Sequence, residues 1–197
     1  MKRDGRKIVG VVVWDTPTAR IADRAGVDIV SVGDSVAVSL WGREREGDLS
    51  LDELLLVCRA VRRGVERALV SCDLPQPSVE RARHLVEDGG ADLVKVAGGV
   101  AELAAAGFPV FAQMSASEDP VAEAQRLEAE GASLLDFRHS GPEAGAKVAD
   151  AVSIPVLGGL GGGPWLDGRM RAVHRLLEAP LAEYVEDVRV GRPVIGD

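Results

Sequence analysis

Residues 28–35, DIVSVGDS, decide the fold. Ile29-Val30-Ser31-Val32 is a short β-rich run that stops at Gly33, and Asp34 and Ser35 follow at once. A buried strand that breaks at glycine and turns into a carboxylate carries a charged group to the rim of a core. The device recurs at 68–75, ALVSCDLP, where Leu69-Val70-Ser71-Cys72 runs into Asp73. It recurs in altered form at 93–98, LVKVAG, with Lys95 inside the strand. Together the three stretches describe a barrel that brings two acids and a lysine to one mouth, where a divalent metal and an anionic substrate can meet.

The rest of the chain repeats the strand–helix alternation. Residues 7–14, KIVGVVVW, read as a buried strand ended by Asp15, and Thr16-Pro17 as a helix start with a hydroxyl cap and proline in the first turn. That helix closes at Gly26, and the second strand spans 28–33. VAVSLWGREREGD, after Ser35, is the longest loop. Ser50 and Glu53 form a capping box at the head of a helix that ends at Gly64. Further strands are expected at 68–74, 92–97, 109–114, 133–139 and 154–160, with helices starting near Ser78, Val100, Pro120 and Glu143. Residues 167–177 fit either an eighth strand or a helix, and 179–190 form a last amphipathic helix. Buried strands alternating with amphipathic helices require parallel pairing through crossovers. Seven or eight such units favour a compact (β/α)8 TIM barrel in one domain, 1–197, although the fold typically takes about 250 residues. A doubly wound open sheet is the alternative.

Composition narrows the function. The 197 residues are 46% hydrophobic and 27% charged, an ordinary globular balance. A net charge of −8 without a basic run argues against nucleic acid or an anionic membrane as partner. No apolar run reaches the roughly 18 residues that a membrane span needs. The two cysteines, Cys58 and Cys72, suggest no disulfide framework, and a cytoplasmic location is expected.

In a barrel of this kind the site lies at the carboxyl ends of the strands. The polar residues there are Asp15, Asp34, Ser35, Asp73, Lys95, Gln113, Ser115, Asp136, Arg138 and His139, with the glycines within 158–163. Asp34 and Asp73 end adjacent strands. Close carboxylates repel unless a cation lies between them, and hard oxygen ligands with open positions suit Mg2+. Alternatively, each aspartate only caps the turn that follows. Lys95 can form an interior ion pair with one of the aspartates, bind a substrate carboxylate, or do both. Nearby acids would keep it protonated, which disfavours a Schiff base. GLGGGPW, 159–165, offers a phosphate turn but lacks the Lys-Ser/Thr of a phosphate loop. His139, beside Arg138, is the better placed histidine for acid–base work, whereas His84 and His174 stand apart.

DTPTARIADRAGVDIVSVGDS resembles the start of ketopantoate hydroxymethyltransferase. So do LDELLLVCRAVRRG, CDLP at 72–75, EDGGADLVKVAGG, EAEGASLL, IPVLGGLGGG and DGRMRAVH, in the family's order along nearly the whole chain. The resemblance implies a (β/α)8 barrel of the phosphoenolpyruvate mutase/isocitrate lyase superfamily. It implies Mg2+, a 2-oxo acid substrate, methylenetetrahydrofolate as co-substrate, and a homo-oligomer. By resemblance, Asp34 and Asp73 match the metal ligands, Ser35 a residue that holds the substrate carboxylate, and Lys95 the site lysine. Three family residues are replaced. The VKxEGG glutamate is Ala97, the histidine after strand five is Gln113, and the strand-six glutamate, the family's base, aligns with Arg138. MSASEDP stands in place of a long loop that helps to close the family's site.

The two half-sites therefore differ. A metal held by two carboxylates can still chelate a 2-oxo acid and stabilise an enolate. Arginine in place of a carboxylate removes a base and adds an anion clamp, pointing to a substrate with a second acidic group. His139 or Asp136 would then supply the base, or none is needed because decarboxylation or retro-aldol cleavage makes the enolate. The expectation is a Mg2+-dependent enzyme that makes or breaks a C–C bond next to a 2-oxo acid. Lys95, His139 and Asp136 are its candidate catalytic groups; Ser35, Lys95, Gln113 and Arg138 are its substrate-binding groups. The alternatives are 3-methyl-2-oxobutanoate hydroxymethyl transfer itself, and a non-catalytic ligand-binding homologue.

Overall fold

A computed structural model describes residues 2–159 and 163–190. Eight parallel strands close into a barrel in chain order: β1 (Ile8–Val12), β2 (Ile29–Val32), β3 (Leu69–Asp73), β4 (Leu93–Val96), β5 (Val110–Ser115), β6 (Ala132–Arg138), β7 (Val156–Gly158) and β8 (Gly168–Ala172). β1 closes the ring by pairing with β8 from Ile8↔Gly168 to Val12↔Ala172. The seam needs glycine, because a Cβ at Gly168 would collide with the Ile8 carbonyl oxygen.

Between the strands run α1 (Thr16–Arg24), α2 (Val36–Ser39), α3 (Leu51–Arg62), α4 (Val79–Arg83), α5 (Val100–Ala105), α6 (Pro120–Ala129) and α7 (Pro142–Ala151), and α8 (Glu178–Val190) follows β8. Local chemistry sets their starts. The Ser50–Glu53 capping box forms at α3, and Ser78 caps α4. At α1 the expected hydroxyl cap gives way to a carboxylate. Asp15 takes the N-cap, accepting from the Thr18 amide at 2.8 Å, and Thr16 is the first helical residue. Part of the stretch read as one long loop folds into α2 and a 3-10 turn, Glu46–Asp48. Residues 167–177 resolve into β8 and a 3-10 turn, Val173–Leu176. The strand expected over 154–160 is shorter, and its expected last residue, Leu160, falls outside the described residues.

Side-chain alternation divides the interior in two. Outward residues such as Val30, Val70, Val94, Ala112 and Phe137 meet the helices in one large cluster. Inward residues Ile8, Ile29, Leu93, Phe111, Leu134, Leu157 and Met170 fill the barrel axis. The same parity carries Asp73, Lys95, Gln113, Asp136 and Arg138 to the inside and toward the carboxyl end.

Candidate active site

Strand register assembles the site. Asp73 pairs with Lys95, Lys95 with Phe111, and Phe111 with Leu134, so an acid and a base share one row above an apolar floor. In the next row Gln113 pairs with Asp136, and at the rim Ser115 pairs with Arg138.

Lys95 is the hub. Its side chain is only 5% exposed, with Nζ 3.0 Å from Asp136 Oδ2 and 3.6 Å from Asp73 Oδ1. The ammonium also lies 5.4 Å from the centre of the Phe111 ring, within cation–π range. Burial acts to lower the lysine pKa, but the Asp73 and Asp136 charges outweigh it and hold it above its usual value. The proton is thus held, against use as an amine nucleophile.

Asp136 is committed. Oδ2 faces both Lys95 and Arg138, whose Nε lies at 3.3 Å, and Oδ1 accepts the Gly159 amide at 2.9 Å. Burial would raise its pKa, yet the two cations and the amide hold it below the usual carboxylate value. The glycine is required here, because a Cβ at 159 would sit 2.9 Å from Asp136 Oδ1.

The other two carboxylates are less fully partnered. Asp73 Oδ2 accepts the Asp34 amide at 3.2 Å, whereas Oδ1 is buried and accepts no hydrogen bond. Burial, followed by the Asp73 charge, pushes the Asp34 carboxyl up to about 7. Glu46, in the turn after α2, adds to the rise and Lys95 opposes it. Ser35 is half-buried next to this pair, and its hydroxyl makes no hydrogen bond to a described residue.

The remaining sequence candidates fall away from this row. His139 is exposed and adopts φ +55°, ending β6 in the left-handed region. Asp15 caps α1. His84 pairs with Asp88 on the surface. His174 stacks on Trp14 with ring centres 5.6 Å apart. Cys72 and Cys58 are fully buried as free thiols, and burial pushes Cys72 well above its usual value. The centre of the expected phosphate turn, 160–162, lies outside the described residues. The sequence reading missed Glu46 and the Trp14–His174 stack.

Comparison with known proteins identifies the family. The family model described as ketopantoate hydroxymethyltransferase matches residues 1–117. The 3-methyl-2-oxobutanoate hydroxymethyltransferase of Shouchella clausii (strain KSM-K16) is 30% identical, over 99% of this chain and 83% of its own length. That of Cyanothece sp. (strain PCC 7425 / ATCC 29141) is 35% identical, over 86% and 78% respectively. Among solved structures, 2,3-dimethylmalate lyase, a PEP mutase/isocitrate lyase superfamily member, superposes with a TM-score of 0.71 at 15% identity, covering 100% of this chain and 89% of that one. Phosphonopyruvate hydrolase in complex with oxalate and Mg2+ gives 0.68 at 15% identity, over 98% and 89%. At such identities the structures share the barrel. The matches in sequence carry the family: the chain belongs to the ketopantoate hydroxymethyltransferase family.

Proposed function

We propose that the protein is a Mg2+-dependent enzyme that makes or breaks a C–C bond adjacent to a 2-oxo acid. The observation that carries this is the Asp34–Asp73 pair, with a buried oxygen of Asp73 left without a hydrogen bond beside a protonated Lys95. A repelling carboxylate pair with a spare oxygen fits a hard divalent cation. Among the described residues no three His, Cys, Asp or Glu side chains converge as a metal cage. Two protein carboxylates with the rest left to water or ligand is the way Mg2+ is commonly held. When bound, the ion would supply Lewis acidity to a 2-oxo group.

This chain's own groups do the rest. Lys95 offers its ammonium to the substrate carboxylate, and Ser35 adds a hydroxyl donor. Asp136 holds Lys95 in place and keeps it charged. Gln113, half-buried with no hydrogen bond to a described residue, lines the opposite wall. With Asp136 tied to two cations and His139 exposed, no carboxylate of β6 is free to take a proton. That favours chemistry in which the enolate arises by C–C cleavage. The names of the relatives instead favour hydroxymethyl transfer to 3-methyl-2-oxobutanoate, with methylenetetrahydrofolate as donor. Assay of both reactions with Mg2+ separates the readings. Transfer at rates typical of enzymes, about 1 s⁻¹ or more, establishes the second, and its absence beside cleavage of a 2-oxo acid establishes the first.

We infer also that the partner is a second copy of this chain, in a homo-oligomer. Leu181 and Tyr184 on α8 are 61% and 51% exposed. The outward residues of β2 to β7, Ser133 apart, are buried, whereas Arg169 and Arg171 on β8 and Val9 on β1 are exposed. An eighth helix bearing Glu183 and Glu186 from another copy complements that uncovered, basic face. Light scattering at micromolar concentration should show an oligomer that Leu181→Asp dissociates; a monomeric wild-type protein would refute the assembly. Among the described residues no helix is long and apolar enough to cross a membrane. The two free buried thiols suit a reducing, cytoplasmic setting.

A further inference from the structure

β6 turns Leu134, Asp136 and Arg138 inward, so Arg138 stands one row above Asp136 at the mouth, with its side chain 26% exposed. Its contact to Asp136 uses Nε alone, at 3.3 Å. Neither terminal guanidinium nitrogen makes a hydrogen bond to a described residue. Asp136 does not need Arg138 for satisfaction, because Lys95 and the Gly159 amide already engage both of its oxygens, at 3.0 and 2.9 Å. The guanidinium presents paired donors in a fixed plane that matches a carboxylate. Beside it on β5, Ser115 shares its register and Gln113 that of Asp136; each offers a neutral hydrogen-bonding group. The mouth is thus polar end to end, with spare oxygen acceptors at Asp34 and Asp73, the Lys95 ammonium between, and spare donors at Arg138.

We propose that Arg138, with Gln113 and Ser115, forms a second anion subsite, and that the substrate is a 2-oxo acid with another carboxylate at its far end. The proposal rests on the reading that the carboxylate pair and Lys95 hold the 2-oxo acid end. Such a dicarboxylate pairs with the guanidinium, whereas the branched apolar end of 3-methyl-2-oxobutanoate would desolvate that charge without replacing its hydrogen bonds. Arg138 is then the residue that decides which 2-oxo acids are accepted.

Calorimetry in the presence of Mg2+ tests this with matched pairs: the four-, five- and six-carbon 2-oxo dicarboxylates, each against the monocarboxylate of equal chain length. Oxalate, which has no carboxylate beyond the 2-oxo acid end, serves as the reference for that end. A charge-assisted pair predicts that at least one dicarboxylate binds about tenfold or more tightly than its partner. Arg138→Leu should abolish that preference while oxalate still binds, which also shows that the variant is folded. Arg138→Lys should restore part of it. No preference in the wild-type protein, or a preference that survives in Arg138→Leu, overturns the subsite and leaves the 2-oxo acid reading standing. Failure of oxalate itself to bind overturns both.

Discussion

The two halves of the barrel mouth contain the same kind of residue in opposite states. In the turn after β2 and at the end of β3, Asp34 and Asp73 lie together; one buried oxygen of Asp73 lacks a hydrogen bond, and the Asp34 carboxyl is pushed up to about 7. On β6, Asp136 is buried more deeply, at 1% exposure, yet its pKa is held below the usual range by Lys95, Arg138 and the Gly159 amide. Burial alone would raise both groups. The difference lies in the partners, and it teaches which carboxylates have a coordination position to give away. An acid whose oxygens are engaged by cations and an amide is structural. An acid pressed against another acid is the one we propose to bind a divalent cation. Lys95 joins the halves and is the first place to break the contrast.

Lys95→Met should have the largest effect. It leaves Asp73 and Asp136 buried without their shared cation. Removing one partner of a buried ion pair costs about 3–5 kcal/mol, read as a fall in denaturant midpoint at unchanged slope. A loss below about 1 kcal/mol would mean that Lys95 does not hold the halves together.

Next is pH. In the metal-free protein the Asp34 carboxyl titrates near 7, against 3.8 for an ordinary aspartate. Between these values the folded state holds a proton that the unfolded state has lost. Stability of the metal-free protein should therefore fall as pH rises through that window. Because a cation must displace the proton, Mg2+ affinity should weaken below pH 7, by at most about tenfold per unit. Melting curves and titrations at pH 5, 6, 7 and 8 check both signs. An affinity flat across pH 5–7 would show that Asp34 carries no such proton.

Gly159→Ala, on the committed half, should cost least. Its Cβ would crowd Asp136 Oδ1 at 2.9 Å, an overpacking cost of about 1–3 kcal/mol. Mg2+ affinity should change little, because the proposed cation site lies on the other half. A large loss of Mg2+ binding would mean that the halves are not separable.

The sequence made the barrel legible because DIVSVGDS, ALVSCD and LVKVAG carry both signals at once. They have the continuous apolar run of a strand buried on two faces, and the polar residue that marks its carboxyl end. In the structure, strand parity turns Asp73, Lys95 and Asp136 to the inside. The states of these groups were not legible. The Gly159 amide that locks Asp136 comes from the end of a different strand, and the unbonded oxygen of Asp73 depends on ångström-scale placement. His139 looks equal to Arg138 in the sequence, but alternation turns adjacent residues to opposite faces, and the left-handed turn at His139 leaves it outside. The Asp15 cap is hidden for a related reason, since Asp, Thr and Pro are all good helix-start residues and only geometry says which side chain reaches the Thr18 amide.

The central claim is that Asp34, just after β2, and Asp73, at the end of β3, form a cation site and that Asp136 on β6 does not. Calorimetric titration of the metal-free protein with Mg2+ in the presence of oxalate tests it most directly, on wild type, Asp73→Asn and Gly159→Ala side by side. The account predicts one ion per chain, with affinity reduced about 100-fold or more in Asp73→Asn, the scale on which lost metal-site groups act, and retained in Gly159→Ala. Equal binding by wild type and Asp73→Asn, or no Mg2+ binding by the wild type, would contradict it.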